Sequence, residues 1–223
     1  MKKLAENLWL LSYPLKLFGA DLRRNVTLIR LASGDLVIHS TGPFEPADVS
    51  KIHAAGHPAW IVEAMRHHDT FSRIGRDIFP DIPFLAPPGF SETVNFETLP
   101  ILPPPPEWAD ELDALAVRGN ETYGEFVFFH RPSRTLIVAD LAFNFSPEEP
   151  LWTGLLLHAA IGSEHSPGMS RPFRHAVKDE AAFRASMDAM LAWDFDRVIV
   201  GHGDVIETGG HEKIAAMLAR AGF

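Results

Sequence analysis

FDRVIVGHGDVIETGG, residues 195–210, is a short apolar strand that runs straight into a histidine bracketed by glycines. Arg197 to Val200 reads as a buried strand. Gly201 and Gly203 let the backbone turn tightly around His202. The same design occurs upstream in TLIVADLAFNF, residues 135–145, where the strand Thr135 to Ala139 ends at Asp140. It occurs a third time in AWIVEAMRHHDTFSRIG, residues 59–75, where the apolar run Ala59 to Ala64 leads into His67, His68 and Asp69. Each of these strands thus ends in a residue able to bind a metal ion. In α/β proteins, ligands collect beyond the carboxyl ends of strands. A fold that gathers these three ends would make one site of them.

The rest of the chain supplies a layered α/β frame. Asn7 to Ser12 is a short apolar run. Asn25 to Leu31 alternates, with Val26, Leu28 and Arg30 on one face. The turn Ser33-Gly34-Asp35 returns the chain along Leu36 to His39. A helix is expected from about Pro46, with Val49 and Ile52 inward and Gly56 as its stop. Phe71, Ile74 and Ile78 are spaced as on a helix that Pro80 ends. Ile82 to Ala86 reads as a strand. Pro87 to Glu107, with Pro103 to Pro106, reads as a surface crossing that could hold a strand near Val94 to Phe96. Phe126 to Phe129 is a further strand. Helices are expected over Leu151 to Ile161, over Ala181 to Trp193, and at the end of the chain with Ile214, Met217 and Leu218 inward.

Composition narrows the chemistry. The 223 residues suit one generous domain, 1–223, with a variable lid-like insertion at about 148–177. Lys+Arg 20 against Asp+Glu 29 gives a net charge of −9, so nucleic-acid binding is not expected. There is no cysteine, which excludes disulfide frameworks, iron–sulfur clusters, thiolate zinc sites and cysteine nucleophiles. Any metal must then be held by His, Asp or Glu. No apolar run approaches a membrane span, and Leu8 to Leu11 is too short for a signal peptide. A cytoplasmic protein without membrane association is the expectation.

The order of elements resembles the metallo-β-lactamase-fold superfamily. NVTLIRLASGDLVIHSTG, residues 25–42, resembles its opening hairpin, with HSTG where that family often has Asp-Thr-Gly. AWIVEAMRHHDTFSRIG lies where its strand, His-rich loop and helix occur. TLIVADLAFNF resembles the strand ending in its metal-bridging Asp, and FDRVIVGHGDVIETGG the strand ending in its last His ligand. The paired His67-His68, the run FFHRPSRTLIVADLAFN and the segment WDFDRVIVGHGDVIETGG are similar to a branch with a degenerate His-rich metal motif. The resemblance implies a four-layer αβ/βα sandwich, α/β in class.

The family loop His-x-His-x-Asp-His falls on Met65, His67, Asp69 and Thr70, with His68 as an extra histidine. The family's middle histidine has no clear counterpart, and Glu121 stands nearest. The resemblance therefore implies one divalent metal rather than two, held by His67, His68, Asp140 and His202. Imidazole and carboxylate ligands suit zinc first, with iron or manganese as alternatives. An open position would hold a water whose pKa the cation lowers. Asp204 is a candidate to support a ligand imidazole. The activity implied is hydrolysis of an ester, thioester, amide or phosphate bond in a small molecule. The segment Glu148 to His175 would act as an apolar lid. The alternative is a degenerate, non-catalytic member that binds a small molecule or a partner. A di-iron oxidoreductase would need six ligands, which the sequence does not assemble.

Overall fold

Alternation along single strands separates three apolar layers. The computed structural model describes residues 1–146 and 167–223, with Glu148, Trp152, Gly154 and Ala159 between them. The elements begin with β1 (Lys2–Ala5), β2 (Leu8–Tyr13), β3 (Lys16–Leu17), β4 (Ala20–Asp21), β5 (Arg24–Arg30) and β6 (Asp35–His39). Next come α1 (Pro46–Ala55), β7 (His57–Val62), α2 (Ser72–Ile78), β8 (Phe84–Ala86), α3 (Phe90–Val94) and β9 (Leu99–Pro100). The chain continues through β10 (Leu112–Ala116), β11 (Phe126–His130) and β12 (Thr135–Ile137). It ends with α4 (Arg171–His175), α5 (Glu180–Leu191), β13 (Arg197–Ile199) and α6 (Gly210–Ala221).

Two mixed sheets result. One has seven strands in the order β1-β2-β5-β6-β7-β8-β9, the other four in the order β10-β11-β12-β13. Successive strand residues point to opposite faces, so each sheet buries two different sets. Leu8, Leu10, Ile29 and Val62 of the first sheet meet Phe126, Phe128, Ile137 and Ile199 of the second. This layer joins the sheets. The other face of the first sheet, with Trp9, Leu11, Val26 and Leu28, is covered by Ile52, Phe79 and Phe90 from the helical side. The outer face of the second sheet, with Val127, Phe129, Leu136 and Val198, is covered by Phe173, Phe183, Met187, Ile214 and Met217. The order of layers is thus helix, sheet, sheet, helix. Each fully buried side chain of this kind contributes about 1.5–3 kcal/mol.

Register explains why two site residues meet. β12 and β13 are parallel, and Ile137 pairs with Ile199. Asp140 and His202 each lie three positions past that pair, so they leave the sheet level with one another. β7 runs parallel to β6 in the first sheet. Antiparallel β5 begins where β6 ends, with Thr27 opposite His39. The start of β5 is tied to the second sheet, because the Asn25 N–H donates to the Gly201 carbonyl at 3.0 Å. The Asn25 side-chain amide donates to the carbonyls of Val200 and Gly203, at 2.9 Å each.

Several local expectations are corrected. The strand expected near Val94 to Phe96 is instead the end of α3, and Asn95 turns the chain in the left-handed region. The crossing Pro87 to Glu107 carries α3 and the edge strand β9. β10 was not expected, because LDALA mixes small and acidic residues and buries only Leu112 fully. In α2 the buried residues are Ser72 and Gly75, whereas Ile74 is exposed. Gly75 is required there, since a Cβ would sit 2.5 Å from Thr41 Cγ2. The helix expected over Leu151 to Ile161 and most of the lid-like insertion lie outside the described residues.

Candidate metal centre

His68, Asp140 and His202 come together at the shared end of the two sheets. His68 Nε2 lies 3.2 Å from Asp140 Oδ1 and 3.2 Å from His202 Nε2. His202 Nε2 lies 3.4 Å from Asp140 Oδ1. These three donors make a nearly equilateral triangle. A tetrahedral ion with bonds of about 2.0–2.1 Å to nitrogen and oxygen needs ligand–ligand edges of about 3.3–3.4 Å. The donor set and its spacing therefore fit one tetrahedral divalent cation with a fourth position open.

The second atom of one ring is already committed. His202 Nδ1 donates to the backbone carbonyl of Arg23. In the neutral ring this places the proton on Nδ1 and leaves the Nε2 lone pair facing the triangle. Phe143 stacks on the His202 ring at 5.7 Å and 12°, and His68 meets it edge-on at 5.1 Å and 79°. Gly201 is needed for this approach: a Cβ there would lie 2.9 Å from the Ala139 carbonyl oxygen and 3.0 Å from the His68 ring.

Electrostatics favours ligation over protonation. Burial, and then the charge of Arg24, lower His68 from 6.5 to about 3, although Asp140 pulls the other way. The ring is neutral at physiological pH. Burial works to raise Asp140, but His68 and His202 prevail and hold it below the usual carboxylate range. The triangle thus offers the His68 nitrogen and the Asp140 carboxylate to a cation, with His202 Nε2 as its third corner.

Arg24 supports the site from beneath. It is 2% exposed, and Nη2 donates to Glu63 Oε2 at 2.9 Å and to the His68 carbonyl at 3.1 Å. Its Nε donates to the Thr41 carbonyl at 3.2 Å. Glu63 also accepts from the Thr41 N–H and hydroxyl and from the Ser40 hydroxyl. On the other side, buried Glu125 accepts the N–H groups of Ala139 and Asp140 at 2.8 and 3.0 Å. Burial and the nearby charge of Asp140 raise Glu125 to about 8.

The remaining expected site residues fall elsewhere. His67 is exposed, and its ring stands edge-on to Tyr123 at 5.3 Å, outside the triangle. Glu121 accepts the Gly119 N–H at 3.0 Å and is not in the cluster. Asp204 does not touch an imidazole in the way the sequence suggested. It takes Arg23 Nη1 at 2.8 Å, and the Arg23 carbonyl supports His202 instead. Asp69 does not cap α2, whose N-cap is Phe71.

Sequence reading missed Arg24, Glu63, Asn25, Glu125 and Tyr123. One signal was present. Glu63 interrupts the apolar run AWIVEA, and a carboxylate inside a buried strand requires a partner.

The triangle opens on a cavity of about 440 Å³. Leu15, Leu17, Leu22 and Phe143 form apolar wall, and Tyr123, Thr70 and His67 contribute polar groups. Leu15 to Leu22 surround the small hairpin of β3 and β4, whose exposed tip residue Phe18 accepts a hydrogen bond from Trp152 Nε1 at 3.1 Å.

The chain has the fold of solved metallo-β-lactamases. A metallo-β-lactamase from Erythrobacter litoralis is 13% identical, with 99% of this chain and 95% of that one covered and a TM-score of 0.65. The enzyme from Pontibacter korlensis is 11% identical, with 99% and 97% covered and a TM-score of 0.61. FIM-1 from Pseudomonas aeruginosa, in a mono-zinc form, is 14% identical, with 99% and 94% covered and a TM-score of 0.61. No family model matches the sequence. No curated protein matches it either. At these identities the likeness carries the fold, and the chemistry must come from this chain's own residues. Among the described residues, no helix is long and apolar enough to cross a membrane.

Proposed function

We propose that the chain is a metal-dependent hydrolase that holds one divalent cation, zinc in the first instance, on His68, Asp140 and His202. The observation that carries this reading is the triangle of donors with edges of 3.2, 3.2 and 3.4 Å. When bound, such a cation polarises a carbonyl or phosphoryl oxygen and acidifies a coordinated water. The protein's residues do the rest. Asp140 supplies the single carboxylate charge of the donor set. The Arg23 carbonyl keeps the His202 proton on the far nitrogen. Arg24 and Glu125 hold the backbone of the His68 loop and of the β12 end. His67, expected as a further ligand, is assigned to the cavity wall.

The substrate class follows from the cavity. Its apolar hairpin wall favours a small molecule with a hydrophobic part, bearing an ester, thioester, amide or phosphate bond. The reading also keeps the cytoplasmic setting expected from the sequence. FIM-1, which shares this fold, has a solved mono-zinc form, and that supports a one-cation reading.

Elemental analysis of protein purified without a metal-affinity tag tests the reading. It expects about one equivalent of zinc, iron or manganese, lost in His202→Ala, and hydrolysis of p-nitrophenyl butyrate that a chelator abolishes. Wild-type protein with no metal and an intact fold overturns it in favour of the non-catalytic binding alternative.

A further inference from the structure

Tyr123 brings a phenol to the cavity wall. Tyr123 lines the same cavity as His68, Asp140 and His202. Its ring is fixed from two sides. Phe173 packs against it at 4.7 Å, and the exposed His67 ring meets it edge-on at 5.3 Å. Its backbone is fixed as well: the Tyr123 carbonyl accepts the Arg66 N–H at 2.9 Å, which ties it to the loop that carries His68. Gly124 next to it adopts φ +57° and closes the turn with its N–H on the Asn120 carbonyl at 2.9 Å.

After burial, the largest influences on Tyr123 are Asp140 and Glu125, which both disfavour a phenolate. The phenol therefore keeps its proton. A rigid aromatic ring carrying a donor into a half-buried cavity beside a cation site suits recognition of a substrate oxygen.

Resting on the hydrolase reading above, we infer that Tyr123 is a catalytic residue of this site, its hydroxyl donating a hydrogen bond to the carbonyl or phosphoryl oxygen of the bound substrate. The phenol lines the same cavity as the three donors, beside His67. There it supplies a directed donor in a centre built for one cation. No proton is transferred in this role. The scissile group lies between the cluster and the phenol, and the apolar part of the substrate lies along Leu15, Leu22 and Phe143.

The chain has two tyrosines, which makes the test direct. Protein labelled with 13C at tyrosine Cζ gives two resonances, and Tyr123→Phe assigns them. Inorganic phosphate is added to the zinc-loaded protein as the oxyanion probe. The Tyr123 signal is expected to shift and the Tyr13 signal to stay. Tyr123→Phe is expected to bind zinc with unchanged affinity and to keep its melting temperature. Its phosphate affinity is expected to fall about tenfold to a hundredfold, the range for a hydrogen bond to a charged group. Binding of phosphate with neither resonance moved, or equal phosphate affinity in Tyr123→Phe, overturns the inference and leaves the hydrolase reading standing. Failure of the wild type to bind zinc overturns both, and the zinc titration identifies that case.

Discussion

The carbonyl of Arg23 accepts a hydrogen bond from Nδ1 of His202, so a residue at the threshold of one sheet sets the tautomer of a histidine at the tip of the other. The next residue, Arg24, does the equivalent for the His68 loop by donating to its carbonyl. Two adjacent residues thus orient two of the three proposed ligands. Asn25 completes the clamp with three hydrogen bonds to the backbone of residues 200–203. The cation site is therefore as much a property of the β5 start as of the strand ends that carry its ligands.

Replacing Asn25 by Ala tests this clamp. Two side-chain hydrogen bonds to buried carbonyls disappear, and Val200 and Gly203 lose a donor. The expected cost is about 2–3 kcal/mol in urea unfolding. The zinc affinity should fall about tenfold or more, as for loss of a group that orients a ligand. A variant with wild-type zinc affinity would show that the His202 loop holds its shape without Asn25.

Much of the frame was legible in the sequence, because strand alternation is a local signal. Val26 and Leu28 face one layer, Thr27 and Ile29 the other, and the layers follow from that period. The ends of β12 and β13 were equally legible, since an apolar run stopping at Asp140 or at Gly201-His202-Gly203 reads the same in isolation. The choice between His67 and His68 was not. Adjacent residues in a loop have no fixed period, and His68 is turned inward by the anchoring of its carbonyl by Arg24 and the Ser72 hydroxyl, which come from β5 and α2. The Arg24–Glu63 pair was hidden for a related reason: each residue looks like a defect in its own strand, and they make sense only across the sheet.

Glycine at 203 should prove irreplaceable, and glycine at 34 supplies the comparison. Both have positive φ, +101° and +93°. A Cβ at Gly203 would lie 2.0 Å from the Asn144 carbonyl oxygen, whereas one at Gly34 meets nothing within 4 Å. Gly34→Ala should cost about 1 kcal/mol from the backbone alone, with zinc binding intact. Gly203→Ala should cost clearly more and release zinc, because the loop must move away from Asn144. Equal thermal shifts for the two variants would contradict this.

Removing one member of the Arg24–Glu63 pair should be worse than removing both. Both side chains are essentially inaccessible, at 2% and 0%. Arg24→Met leaves the carboxylate of Glu63 without its cation, at an expected cost of about 3–5 kcal/mol. The double variant Arg24→Met/Glu63→Met removes the stranded charge and should recover a large part of that loss. Its zinc affinity should stay low, because the His68 carbonyl keeps only the Ser72 hydroxyl at 3.3 Å and still lacks Arg24. Denaturant midpoints of the wild type, Arg24→Met, Glu63→Met and the double variant decide the matter, and a double effect equal to the sum of the two single effects would rule out coupling.

The pH dependence of stability offers a test remote from the metal centre. His130 is 1% exposed at the end of β11, its Nδ1 lies 2.6 Å from Ser133 Oγ, and its Nε2 has no partner among the described residues. Burial lowers its pKa from 6.5 to about 4. Between those values the unfolded chain binds more protons at this position than the folded one, so stability rises with pH there. The contribution is complete above about pH 6.5 and is lost as the pH falls through the folded value. Its full size is about 3 kcal/mol. His130→Gln keeps a hydrogen-bonding group toward Ser133 but cannot titrate. Urea unfolding from pH 7 to pH 4 should therefore show a shallower decline for the variant than for the wild type, with the two curves parallel above pH 7. Parallel curves over the whole range would mean that the folded protein accommodates a charged imidazole at position 130.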